Sequence, residues 1–174
     1  APPIAVPFRF FLTAPWFSVA AGLLLAFDGE SALATRWSAQ ALGLTHLLTV
    51  GFMLQAMCGA LLQFVPVAAG GNVPRPRLVA GVVHPLLLVG ATLLVAGFLA
   101  GRGVLLLSAL GPLVLGTLVF VAAIGHALWK VPLGSQVLAA LRVAVGGLLA
   151  TVAVGAFMAW TLGRGETTSL LELT

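Results

Sequence analysis

Charge is what this sequence has least of. Charged residues occupy 7% of its 174 positions, eight basic against four acidic, and none of the acidic ones lies within a long apolar run. A soluble domain carries about a quarter charged residues, so that class is excluded. With 61% hydrophobic residues and a mean hydropathy of +1.18, the composition is that of an integral membrane protein. Cysteine is nearly absent as well: Cys58 stands alone, which excludes an internal disulfide and leaves the redox compartment open. Clustered positive charge is missing too. The net charge is +4 and the pI near 11.3, but the basic residues are scattered singly between apolar runs. They are topology signals rather than a patch for nucleic acid, which is not an expected partner. Nor is there a cleavable signal pattern, because the first apolar stretch is long enough to span and is followed by further spans.

What the chain has is length of apolar run. Five segments, 8–27, 38–65, 78–100, 104–129 and 137–162, approach or exceed the roughly 20 residues that a helix needs to cross hydrocarbon. Turn chemistry separates them: Asp28-Gly29-Glu30-Ser31, then Gly70-Gly71-Asn72 with Pro74-Arg75-Pro76-Arg77, Gly101-Arg102-Gly103, and Pro132-Leu133-Gly134-Ser135. Transmembrane strands would be shorter and alternating. The expected fold is therefore all-α, a single transmembrane domain over 1–174 with five spanning helices. Trp37, Trp129 and Trp160 fall near span ends, where indole favours the interface, whereas Trp16 lies mid-span.

Basic residues set the expected orientation. Arg9, Arg75, Arg77, Lys130 and Arg142 gather on one side, against Arg36, Arg102 and Arg164 on the other, where Asp28, Glu30, Glu166 and Glu172 also lie. The positive-inside rule then puts the N-terminus in the cytoplasm, in a bacterial inner membrane. The acidic tail from Glu166 to Glu172 has the character of a connection.

Three histidines, His46, His84 and His126, lie inside the apolar runs. An ionisable side chain at membrane depth is costly, and imidazole is a common ligand for metals and haem iron. The topology places His46 in the outer half of the bilayer. His84 and His126 fall in the cytoplasmic half on antiparallel neighbours, where they could oppose each other across a haem. Arg142, at about their depth, could pair with a haem propionate or snorkel to the interface. Each histidine also has a plainer role open to it, a hydrogen bond to a neighbouring helix. Pro85 after His84 frees a carbonyl that the imidazole could tend.

The second span carries a further pattern. His46, Val50, Met53 and Met57 recur at intervals of four, three and four, on one face of an ideal helix with Cys58 beside it. These are acceptable copper(I) ligands, but His46 and Met53 would stand about 10 Å apart along the axis and cannot share one ion. Gln55, Gly59 and Gln63 form a second face suited to hydrogen bonding across a helix interface. In the fifth span Gly147, Thr151, Gly155 and Ala159 make a small-residue stripe, suited to packing within the bundle or to a homo-oligomer.

The run Thr45-His46-Leu47-Leu48, through Gly51-Phe52 and Cys58-Gly59-Ala60 to Phe64-Val65-Pro66, resembles the second helix of the haem-copper oxidase catalytic-subunit superfamily. Pro7-Phe8-Arg9-Phe10-Phe11-Leu12 and the Pro74-Arg75-Pro76-Arg77 turn resemble its NnrS-like branch, membrane proteins associated with nitric oxide metabolism. The resemblance covers roughly the first hundred residues. It implies that His46 matches the helix-two histidine that ligates haem in the oxidases. Members of the superfamily are substantially longer, and this chain has no adjacent histidine pair and no His-x-His, so the copper site and the later haem ligands are not carried over.

Two geometries for haem b stay open: His46 with a partner ligand from outside the chain, or His84 with His126 within it. The expected function is electron transfer, or support of a respiratory or denitrification-type membrane complex, without a catalytic centre of its own. The competing classes are a structural accessory subunit with no cofactor and, third, a transporter, which the lack of paired charges in the spans disfavours.

Overall fold

The computed structural model describes residues 2–132 and 136–165, and the regular structure among them is helical throughout. Five helices are long and apolar enough to span a membrane: α1 (Ala5–Ala34), α2 (Ala39–Ala68), α3 (Pro76–Ala100), α4 (Gly103–Trp129) and α5 (Gln136–Gly163). Hydrocarbon offers backbone amides no partner, so an apolar run of this length closes its hydrogen bonds within itself. Hydroxyls follow the same rule. Thr45, Thr49, Thr92, Ser108 and Thr151 each donate to the carbonyl four residues back, at 2.7–2.9 Å. The outer surface is apolar, with Leu12, Phe27, Val143 and Phe157 exposed, as suits a chain surrounded by lipid rather than water.

The first expected connection is displaced. Asp28-Gly29-Glu30-Ser31 is not a turn: Asp28 alone leaves helical geometry (φ −141°, ψ 30°), and the helix resumes through Ala34. One residue out of register bends a helix without ending it, so the break falls at Thr35, which is extended (φ −155°, ψ 147°). Ser38 then opens α2, its hydroxyl accepting from the Ala41 N–H at 3.0 Å. The other connections fall where the turn residues placed them. Arg75 takes a left-handed conformation (φ 43°) before Pro76 starts α3. Gly101, at φ 60°, closes α3: its N–H reaches Phe98 O at 3.1 Å and the Arg102 N–H reaches Gly97 O at 3.0 Å. Of the last expected turn, residues 133–135 lie outside the described residues, as do Glu166 and Glu172.

We call the end where α1, α3 and α5 begin the near end and its opposite the far end. α3 is central, packing on α4 and α2 and more lightly on α1, while among the described residues α5 packs on α4 alone. The largest apolar cluster fills the near half, with Phe10 of α1, Leu62 of α2, Val83 and Leu87 of α3, and Phe120 and Ile124 of α4. Two smaller clusters follow toward the far end, one around Phe17, Leu47 and Ala91, the other around Leu94, Phe98, Leu106 and Ala159. At the ends, Arg36, Arg142 and Arg164 each set a guanidinium over a tryptophan, Trp37, Trp129 and Trp160 respectively, at 5.1–5.4 Å.

α2 is not a uniform α-helix. From Leu47 to Leu54 it is π-helical, one carbonyl looser than its flanks. The segment begins at the residue after His46, and within it Gly51 lies directly beneath the Phe17 ring of α1, where a Cβ would overlap that ring.

Candidate functional site

His46 is held by its own helix. Its Nδ1 lies 2.7 Å from the Leu42 carbonyl oxygen, and a carbonyl only accepts, so Nδ1 carries the proton and donates. The neutral ring then has its lone pair on Nε2, the tautomer of an imidazole ready to ligate. The ring is half-buried and lies tilted against Phe98 of α3, with centroids 4.8 Å apart and planes at 31°. Leu42 and Val50, one turn to either side, pack against the far-end cluster that includes Phe98. The interior at this level is closed, because Gly43 faces Leu99 so closely that a Cβ would stand 2.8 Å from Leu99 Cδ2.

The methionine pattern is re-phased by the π-helical segment. Met53 and Met57 are 51% and 53% exposed, whereas Cys58 is buried at 1% and Val50 packs inward. The single face expected for His46, Val50, Met53 and Met57 assumed α-helical periodicity throughout. With i to i+5 bonding after His46, the two methionines turn toward the surroundings and away from the Cys58 thiol. Among the described residues there is no group of three or more His, Cys, Asp or Glu side chains able to hold a metal ion.

His84 belongs to a different centre. Its Nε2 shares a 2.9 Å hydrogen bond with Thr13 Oγ1 on α1, and its ring meets Phe10 edge-on at 5.2 Å. Thr13 Oγ1 also lies 3.1 Å from Arg9 O, 3.2 Å from Phe10 O and 3.4 Å from Gln55 Oε1. A hydroxyl has one proton. With that proton given to the backbone carbonyls, Thr13 accepts from a protonated His84 Nε2. Gln55 is 0% exposed, and its amide nitrogen has no partner among the described residues. Arg9, one turn before Thr13, lies beside Gly81, whose absent Cβ would stand 3.5 Å from Nη1, and its Nε is likewise buried without a partner. Gln55 was legible in the sequence as part of an interface face; Gly59 on the same face does lie against Phe10 and Pro7 of α1. Thr13 and Arg9 were not singled out together, although their spacing of four was the available signal.

His126 stands apart. α3 and α4 run in a register set by Gly90 against Leu113 and Gly97 against Leu106, which puts His84 level with residue 119. His126 is seven residues further on, about 10 Å along the axis, and exposed. The structure does not bring the two rings face to face. Arg142 is occupied by protein: its Nη2 donates to Leu128 O at 2.8 Å and to Val131 O at 2.9 Å, and its guanidinium covers Trp129. It closes the C-terminus of α4, where orphan carbonyls need donors.

Compared with known proteins, the chain matches no family model, no curated protein and no solved structure.

Proposed function

We propose that this chain is a multi-pass protein of the bacterial cytoplasmic membrane, N-terminus inside, that carries haem b on His46 and serves electron transfer in a respiratory or denitrification-type assembly. One observation carries the reading: the Nδ1–H to Leu42 O bond leaves Nε2 free on a half-buried ring flanked by Phe98. The resemblance of the second span to the haem-ligating helix of the oxidases falls on the same residue. Bound haem b would supply a one-electron carrier. The chain's own part is to fix the imidazole orientation through Leu42 and to present an apolar ring beside it. His46 would hold the group, and a second ligand would come from a second copy or another subunit. The count of basic residues, larger at the near end, supports the orientation.

A reduced-minus-oxidised absorption spectrum of the purified protein, with a pyridine haemochrome assay, tests the reading. His46→Ala is expected to remove the haem signal, while His84→Ala and His126→Ala keep it. No haem after expression with an adequate supply, or full haem in the His46→Ala protein, overturns it. A second reading, an accessory subunit with no cofactor, is favoured by the stripe on α5: Ala159 packs inward, but Gly147, Thr151 and Gly155 face outward with none of the described residues against either glycine.

A further inference from the structure

His46 and His84 each meet a phenylalanine ring, and the two meetings differ in kind. Phe10 stands edge-on to His84 at 87° between planes, whereas Phe98 lies only 31° from parallel to His46, with centroids 4.8 Å apart. An edge leaves the imidazole free to turn. A ring laid against its face does not.

Turning matters because it aims the lone pair. The torsion about the Cβ–Cγ bond of a histidine is soft, with two broad wells half a turn apart. Nε2 lies off that bond's axis, so rotation swings the direction in which it can ligate. The Nδ1–H to Leu42 O bond, at 2.7 Å, chooses between the wells, since half a turn would put a carbon in front of the carbonyl and take the donor away. A hydrogen bond tolerates about 30° of misalignment, so it does not fix the ring within its well. Phe98 does, because rotation from the observed plane drives an imidazole edge into the phenyl face. The hydrogen bond sets which way round the ring sits, and the phenyl sets its plane.

Phe98 acts as a stop because it is itself held. It is buried in the far-end cluster with Leu94 and Leu106. Its carbonyl accepts from the Gly101 N–H at 3.1 Å, in the turn that joins α3 to α4. Its neighbour Gly97 lies so close to α4 that a Cβ would stand 2.6 Å from Leu106 Cδ2. The phenyl ring therefore rests on backbone fixed by α4, while the imidazole belongs to α2.

We propose that Phe98 is a positioning residue for His46: its ring holds the imidazole in the orientation in which Nδ1 donates to Leu42 O and Nε2 is left as the ligating atom. The inference rests on the reading of His46 as a ligand, and a measurement made without haem separates the two.

The full chain, isotopically labelled at the histidine nitrogens, is studied in lipid nanodiscs by nuclear magnetic resonance in the absence of haem, with His46→Gln assigning the His46 signals. The wild type is expected to show one protonated and one unprotonated nitrogen, the signature of a single tautomer. In Phe98→Leu, which stays apolar but loses the flat face, the two signals move toward each other and broaden as tautomers mix; Phe98→Met serves the same purpose if the leucine variant does not fold. Phe98→Tyr, which keeps the ring, restores their separation. Leu94→Ala opens a cavity in the same cluster and leaves the His46 signals unchanged, so lost packing alone does not produce the effect. With haem supplied, the ferric electron paramagnetic resonance spectrum is a single species in the wild type and broadens in Phe98→Leu. A wild type that takes up no haem overturns the ligand reading alone, and the nitrogen signals then decide on Phe98. His46 signals identical in the wild type and Phe98→Leu, or altered equally by Leu94→Ala, overturn the proposal.

Discussion

Arg142 shows how one cation can be spent at a helix end. Its Nη2 bridges Leu128 O and Val131 O, tying the end of α4 to the start of α5. Hydrogen bonds to charged donors contribute about 1.5–3 kcal/mol. Arg142→Ala is therefore expected to lower stability by about 2 kcal/mol in a detergent-solubilised melt, and Arg142→Lys by less, since an ammonium cannot span both carbonyls in a plane. Haem content should be unchanged in both, in contrast with His46→Ala. The sequence left Arg142 with two roles open because the carbonyls it serves belong to the end of α4 and the residues just after it, 11 and 14 residues earlier in the chain. Thr13 was hidden for a similar reason. Its partners Gln55 and His84 lie 42 and 71 residues away, and a hydroxyl in an apolar run carries no mark of what it meets.

At the scale of the element, α2 differs most from its sequence pattern. The span itself was legible, as were the other four, because composition alone forces helices of this length in hydrocarbon. The π-helical stretch Leu47–Leu54 was not, since no residue within it breaks the apolar run. Within it Gly51 admits the Phe17 ring of α1. Gly51→Ala should cost about 1–3 kcal/mol, as overpacking does. Combining it with Phe17→Leu should recover part of that loss, a favourable coupling readable in a double-mutant cycle of melting stability. The same loosening explains why the methionines at 53 and 57 part from His46. A face drawn at 3.6 residues per turn stops being a face once an extra residue enters the turn. In α1 the reverse holds: Asp28 and Gly29 look like a terminus, yet the helix bends and continues.

Among the described residues, the arrangement is a core of α1 to α4 with α5 laid against α4 alone. Two devices hold α5 at its ends. Arg142 acts at the near end, and at the far end Gly103 meets the Gly163 carbonyl so closely that neither glycine has room for a side chain. Between them, the glycines at 146, 147 and 155 have nothing within 4 Å of a Cβ position. Replacing Gly147 and Gly155 together by Leu should leave the stability of the single chain within about 0.5 kcal/mol. If the outward stripe carries assembly, the same variant shifts the protein to monomer in light scattering, whereas an unchanged oligomer removes the stripe from consideration. The expectation of a small-residue stripe came from the sequence, but which way it faced did not. That depends on the roll of α5 about its own axis, which is set by its packing on α4 through Leu138, Val145 and Ala159.

The turn at Gly101 and Arg102 joins the two most closely packed helices with no slack. α3 and α4 have complementary faces in register before any other part of the chain is needed. They are thus suited to pair as one hairpin, and neither could reverse its direction without carrying the other with it.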